Sequence, residues 1–164
     1  MVTNNFPNLT KVLNDFGKGL VENYKSELAA EGINASGELG NSLKYIIDDS
    51  TKGRIEVNLE LLEYWKYIEN GRKAGKWPPI SAIKRWIEVK PVLPRPMANG
   101  KLPTNDQLAY LIARKIGLEG ITPQPILKQS VDSVMDVMME FIEEALAKDI
   151  QAELDIIYKE VGFN

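Results

Sequence analysis

The chain has 164 residues, of which 44% are hydrophobic and 26% are charged, and its formal net charge at pH 7 is −3. These values fit one globular domain over residues 1–164 and argue against wholesale disorder. The sequence contains no Cys and no His, which excludes disulfides, thiolate nucleophiles, Ser-His-Asp triads and zinc sites built on these ligands. Since the commonest tools of hydrolytic and redox chemistry are missing, we expect a protein that is not an enzyme and has no cofactor.

The N-terminal segment predicts a helix rather than a targeting signal. Met1–Asn5 is not followed by the apolar stretch of a signal peptide, and no apolar run approaches the roughly 18 residues that span a bilayer. We therefore expect no membrane partner and a protein made and used in a cytoplasm. Apolar residues then recur at three- and four-residue steps from Leu9 to Leu28, which predicts a helix that ends near Gly32.

The next segment changes from helical to alternating spacing. Apolar and polar residues alternate over Leu43–Ile47 and again over Ile55–Leu59, with the polar run Asp48–Gly53 between them. This pattern predicts an antiparallel β-hairpin within residues 39–59. Two strands alone are marginal in water, so the hairpin should pack on a helix, gain further strands or pair with the edge of another subunit.

Helical spacing returns briefly after the hairpin. Tyr64, Tyr67 and Ile68 predict a short helix that packs on the scaffold, and Gly71 should end it by turning the chain. We expect Glu69 to pair with a basic group or with the end of a helix.

A helical insertion is predicted at about 76–120. Pro78-Pro79 suits the start of a short helix that runs from Ile80 to about Val89, and Thr104 is a suitable N-cap for a second helix that reaches Ile116. The proline-rich stretch 91–103 between them cannot form regular structure.

The longest predicted element follows Pro123-Gln124-Pro125. Apolar residues keep helical spacing from Leu127 to Val161, a span of roughly 50 Å at 1.5 Å per residue. A compact domain of this size does not need so long a helix. Its distal half is therefore expected to reach a partner or a neighbouring copy, and the alternative is a helix that folds back along the first one.

Charge is unevenly distributed along the chain. Residues 1–71 carry a net charge of −4, residues 72–128 carry +8, and residues 129–164 carry −7. The basic middle could bind DNA, because Lys and Arg release counterions from phosphates, or it could dock onto the acidic C-terminal helix of the next copy in a head-to-tail ring. We favour docking because the acidity of the whole chain opposes tight binding of a duplex. The candidate subunit or DNA contacts are Arg72, Lys73, Lys84, Arg85, Arg114 and Lys115.

Two apparent nucleotide- and DNA-binding motifs fail on detail. Gly71–Trp77 resembles a phosphate loop, but it has three residues between its glycines and Trp after the Lys, where the P-loop needs four and then Ser or Thr. The two insertion helices could suggest a helix-turn-helix, but the stretch joining them is far longer than the three or four residues of that motif.

Three short stretches carry recognisable patterns in a fixed order. Gly37–Leu43 is similar to Gly-x-Leu-x-x-Ser-Leu/Ile, Tyr64–Gly71 is similar to Tyr-Ala-x-Tyr-Val-Glu-aromatic-Gly-Thr, and Pro123–Leu127 is similar to Pro-x-Pro-Phe-Leu. Together they resemble the tail-completion, or neck, protein family of tailed double-stranded DNA bacteriophages, some members of which have a similar insertion. The chain departs from the family pattern at Asn70, where an aromatic is usual, and at Arg72, where Thr is usual. Trp65 or Trp77 is expected to supply the missing ring.

The resemblance implies a structural role and an α+β fold, with a small antiparallel sheet packed on an N-terminal helix and a long C-terminal helix. It implies a homo-oligomeric ring of six or twelve copies between the portal or adaptor and the tail, in the neck of the virion. DNA passes through such a ring without sequence-specific binding, and a neutral or acidic lumen lets it slide. The signature residues carried over from the family are Leu39, Ser42, Leu43, Tyr64, Tyr67, Ile68, Glu69, Gly71, Pro123 and Pro125. The alternative function is a DNA-binding protein that uses the basic segment 72–128.

Overall fold

The computed structural model describes residues 6–33, 36–51, 53–90 and 92–162. Within them the chain forms six helices and a two-stranded antiparallel sheet, which confirms the α+β class. The elements in chain order are α1 (Pro7–Ala30), α2 (Glu38–Ser42), β1 (Lys44–Asp48), β2 (Glu56–Glu60), α3 (Trp65–Glu69), α4 (Ile80–Val89), α5 (Asn105–Glu119) and α6 (Ile126–Val161).

The frame of the molecule is an antiparallel pair of helices, α1 and α6. Ile126, at the start of α6, is buried against Tyr24 and Leu28 near the end of α1, whereas Asp149 contacts the first turn of α1. The part of α6 from Ile126 to Asp149 therefore runs back along all of α1, over about 35 Å. Residues 150–161 continue past the described start of α1. The alternative in which α6 folds back along the first helix applies to two thirds of its length. Contact of the distal part with a partner or a neighbouring copy stays a prediction.

The hairpin packs one face on α1. Lys44 pairs with Glu60 and Ile47 with Val57, so that alternate side chains face the helix. The ring of Tyr45 lies over Gly17 of α1. A Cβ atom at this position would approach the ring to 2.4 Å, which explains why the residue here is a glycine.

The hairpin begins later than the expected boundaries of 39–59. Residues Glu38–Ser42 form a helical turn, and pairing starts at Lys44 and ends at Glu60. The turn is favoured because Leu39, within it, and Leu43, the extended residue that follows it, both lie in the core cluster. The Ser42 hydroxyl donates to the Leu39 carbonyl at 2.7 Å and so closes this turn.

The main core lies where α1, α2 and the first turn of α6 meet. Side chains from the hairpin, from α3 and from the segments beside them cover it. The buried cluster consists of Tyr24, Leu28, Leu39, Leu43 and Ile126, with Val21, Ile33, Leu59, Leu61, Trp65, Ile68 and Leu127 packed around it.

The insertion leaves the pair of α1 and α6 and returns to it at the same place. Arg72 and Ile121 form an antiparallel bridge at its base, with N–O distances of 2.9 and 2.8 Å. Helices α4 and α5 pack on each other, and Trp77 lies over Gly117 and meets Tyr110 edge-on at 5.5 Å between ring centroids. The predicted N-cap of α5 is confirmed, because Thr104 and Gln107 form a reciprocal capping box.

Candidate functional site

The three family-like stretches meet at one place, which we call the motif junction. It consists of α2, α3, the turn at Gly71 and the segment from Ile121 to the first turn of α6. Leu39 and Leu43 are 4% and 3% exposed and share the core cluster with Ile126. Residues far apart in the chain therefore serve a single packing unit.

Glu69 caps the N-terminus of α6. Its two carboxylate oxygens accept hydrogen bonds from the backbone N–H groups of Leu127 and Lys128, each at 2.9 Å. The residue before α6 is Pro125, which offers no side-chain cap. A carboxylate at this position satisfies two of the N–H groups that every helix start leaves unpaired, and it complements the positive end of the helix dipole. Glu69 thus meets a helix end, which is one of the two partners we expected.

The backbone around Gly71 passes unusually close to the segment that leads into α6. Gly71 has φ +64°, and a Cβ atom there would lie 2.3 Å from the Ile121 carbonyl oxygen and 2.8 Å from the Pro123 nitrogen. One turn earlier, the Ile68 carbonyl accepts from the Gln124 N–H at 2.8 Å. Only glycine combines the left-handed conformation with this approach.

Ser42 ties the hairpin to the same junction. Its hydroxyl oxygen accepts a hydrogen bond from the Leu62 N–H at 3.2 Å while donating to the Leu39 carbonyl. The strand exit and the helical turn are therefore held together by one side chain.

The expected packing of both tyrosines is wrong in part. Tyr67 is 56% exposed and Tyr64 is 41% exposed, because α3 is a single turn and its inward face is taken by Trp65 and Ile68. Tyr64 still lies close enough to the core that partial burial, and then the Glu38 carboxylate, raise the pKa of its phenol.

Of the two tryptophans expected to supply a ring near Asn70, Trp65 lies at the motif junction and Trp77 does not. Trp65 packs against the core cluster at the junction. Trp77 lies within the insertion, over Gly117 and edge-on to Tyr110, and is 45% exposed. Asn70, in the aromatic position, is exposed and follows α3 as its C-cap.

The six candidate basic contacts do not form one cluster. Arg72 and Lys73 lie at the base of the insertion, where the Arg72 guanidinium donates to the Lys76 carbonyl at 3.0 Å. Lys84 on α4 is paired with Asp106 at 2.7 Å, and Lys115 on α5 lies 3.7 Å from Glu119. Arg85 on α4 and Arg114 on α5 are exposed.

The geometry of the insertion is not that of a helix-turn-helix. Helix α4 ends at Val89 and α5 begins at Asn105, and the long proline-containing stretch between them separates the two elements. The sequence interpretation that these are structural helices of an insertion agrees with this arrangement.

Asp149 makes a polar contact within the frame that no sequence pattern predicted. Asp149 is 1% exposed, and its carboxylate accepts from the Asn8 and Leu9 N–H groups at 3.1 and 2.8 Å and from the Asn8 side-chain amide at 2.7 Å. It therefore caps α1, whose own N-cap, Phe6, offers no side-chain acceptor. The available signal was its position four residues after buried Ala145, on the apolar face of α6.

Among the described residues, no group of three or more acidic side chains is placed to hold a metal ion, and no helix is both long and apolar enough to cross a membrane. The polar groups of the motif junction instead hold segments of the chain together. A scan against profiles of known protein families, a search of curated proteins and a search of solved structures each found no match to this chain.

Proposed function

We propose that this chain is a non-catalytic structural subunit of the neck of a tailed double-stranded DNA bacteriophage. Copies form a ring of six or twelve that joins the capsid portal or adaptor to the tail. The observation that carries the proposal is the motif junction: the three stretches that resemble the neck family, from Leu39 to Pro125, contact one another in a single unit.

The contacts explain why these residue types occur at this spacing. The Glu of the central stretch caps the helix that the Pro-x-Pro stretch opens, and the following Gly lets the backbone pass beside that proline segment. A pattern whose members depend on one another in this way belongs to a scaffold rather than to a catalytic centre. This supports kinship with a structural family on residues that are far apart in the sequence.

Features of the surface favour a subunit that assembles. Strands β1 and β2 pair only with each other among the described residues, and such a two-stranded sheet keeps edges that can accept another strand. The net charge of −3 suits a ring through which DNA slides, because an acidic or neutral lumen does not hold phosphates.

Disruption of the gene tests the role. An early stop codon introduced into the gene in the encoding phage should give DNA-filled heads and separate tails in negative-stain electron micrographs of the lysate. Wild-type protein supplied from a plasmid should restore joined, infectious particles. Joined virions at wild-type yield from the disrupted phage would overturn the proposal.

The alternative, DNA binding through residues 72–128, has its own measurement. Retardation of a short duplex at low salt that disappears when Lys84, Arg85 and Arg114 are all changed to Glu would favour a DNA-binding protein. We expect no retardation at low salt.

A further inference from the structure

The last third of α6 presents an uncovered apolar stripe. Asp149 is the last buried residue of the helix, and residues 150–161, which we call the overhang, extend past the described start of α1. Large side chains recur on one face of the overhang at steps of three and four residues, and they are between 39% and 62% exposed. They are Ile150, Leu154, Ile157, Tyr158 and Val161.

A second apolar surface lies on α5, in the insertion. Leu111, Arg114 and Leu118 are exposed and follow one another at helical spacing, and Tyr110 lies beside them. An open groove of about 340 Å³ begins at this surface and is lined by Met97, Asp106, Gln107, Tyr110 and Leu111. We call this surface the insertion face.

The charges around the two surfaces are opposite. The overhang carries Glu153, Asp155 and Glu160 against Lys159, a net charge of −2. Residues 73–120 of the insertion carry a net charge of +6, and Arg114 lies in the centre of its exposed face. An apolar acidic helix and an apolar basic face are complementary in both respects, and opposite charges fix the register of such contacts.

The two surfaces cannot meet within one molecule. The base of the insertion at Ile121 lies next to the start of α6, and Lys90 donates from the end of α4 to the Gly32 carbonyl, beyond the end of α1. The overhang begins 24 residues after Ile126, which places it about 36 Å away along a rigid helix. The two surfaces therefore lie at opposite ends of the α1 and α6 pair.

We propose that the overhang of one copy docks on the insertion face of the next copy. Each chain carries one of each surface at opposite ends, so the contact is heterologous and its repetition yields a closed ring or an open chain. The inference deepens the proposed function and rests on it for closure into a ring. The pairwise contact follows from the complementary surfaces themselves.

The experiment uses two blocked variants of the full chain and measures their mass by sedimentation velocity at low salt. The first, Leu154→Asp with Ile157→Asp, disables the overhang; the second, Leu111→Asp with Arg114→Glu, disables the insertion face. Wild-type protein should form oligomers that grow with concentration, and each variant alone should associate at least tenfold more weakly. The equimolar mixture should form a one-to-one heterodimer, because each variant keeps the surface that the other lacks.

Control variants separate this contact from general effects. Val137→Asp introduces an aspartate at a 67% exposed apolar residue on the part of α6 beside α1, and it should associate like wild type. Formation of the heterodimer also shows that both blocked variants are folded. Higher salt should weaken the wild-type association, because opposite charges contribute to it.

Three results would overturn the docking. They are a wild-type protein that stays monomeric at every concentration, blocked variants that associate as wild type does, and an insertion-face variant that dimerises alone while the mixture forms no heterodimer. The last result would assign the overhang to pairing with its own copy. The gene-disruption experiment tests the neck assignment separately from these results. If virions were joined without the gene, the neck assignment would fail, and the mixture of the two blocked variants would still decide whether the docking contact exists.

Discussion

Glu69 acts at a distance of almost sixty residues along the chain, because the helix end that it caps starts at Ile126. In Glu69→Gln, one acceptor oxygen and the negative charge are lost while the shape is kept. We expect the free energy of unfolding to fall by about 1 kcal/mol, the usual range for losing a cap. Urea unfolding followed by circular dichroism measures this, and Glu63→Gln is the matched control because its side chain is 96% exposed. Equal losses in both variants would contradict the capping role.

Substitutions at Gly71 and Gly100 distinguish two energetic costs of replacing a glycine by alanine, which are backbone strain and steric clash. At Gly71 an alanine would have to adopt φ +64° and place its Cβ atom 2.3 Å from the Ile121 carbonyl oxygen. At Gly100, with φ +75°, an alanine would meet nothing within 4 Å. Gly100→Ala should therefore cost only backbone strain, about 1 kcal/mol, and Gly71→Ala should cost at least about 2 kcal/mol more. Similar midpoints of urea unfolding would show that the close approach at Gly71 has no energetic weight.

At the scale of elements, we expect the α1 and α6 frame to fold without the insertion. No described residue of the insertion belongs to the main core cluster, and the bridge between Arg72 and Ile121 brings its two ends together. Replacement of residues 73–120 by an Asn-Gly turn should therefore leave a cooperative unfolding transition, because a two-residue turn joins antiparallel neighbours. Circular dichroism should show less helix and one sigmoidal transition. A broad, uncooperative melt would mean that the frame needs the insertion.

The elements that could be predicted from sequence are those whose signals are local. The apolar stripes of α1 and α6, the prolines before α4 and the capping residue Thr104 each act within a few residues of the structure they specify. The expected start of the hairpin at residue 39 is too early, because the alternation itself begins only at Leu43. Leu39 belongs instead to a helical turn that leads into β1.

At the scale of the whole molecule, sequence patterns gave residue types but not their partners. The sequence predicts a basic group or a helix end as the partner of Glu69, and only the packing of α3 beside α6 selects the helix end. The outward position of Tyr67 follows from the length of α3, which no single residue encodes. The capping role of Asp149 could not be predicted because its partner, the first turn of α1, lies about 140 residues away along the chain.

Tyr24 makes the stability of the whole molecule sensitive to alkaline pH. It is 2% exposed, and burial, followed by the Glu69 carboxylate and by Tyr64, raises its pKa from 10.0 to about 12. Below pH 10 the phenol is protonated in both the folded and unfolded states. Between pH 10 and pH 12 the unfolded chain loses this proton while the folded one keeps it, so the free energy of unfolding falls as the pH rises, by roughly 2–3 kcal/mol.

Tyr24→Phe removes this loss, since phenylalanine keeps the ring but has no proton to release. The difference in free energy of unfolding between wild type and variant, measured in urea at pH 9, 10, 11 and 12, should therefore shift in favour of the variant as the pH rises. Other groups that titrate in this range cancel, because both proteins contain them. Glu69→Gln should reduce the alkaline loss without removing it, because the carboxylate is the second contribution to the raised pKa, after burial. Parallel curves for wild type and Tyr24→Phe would show that the phenol ionises alike in both states, and the core around Tyr24 would then have to admit the phenolate.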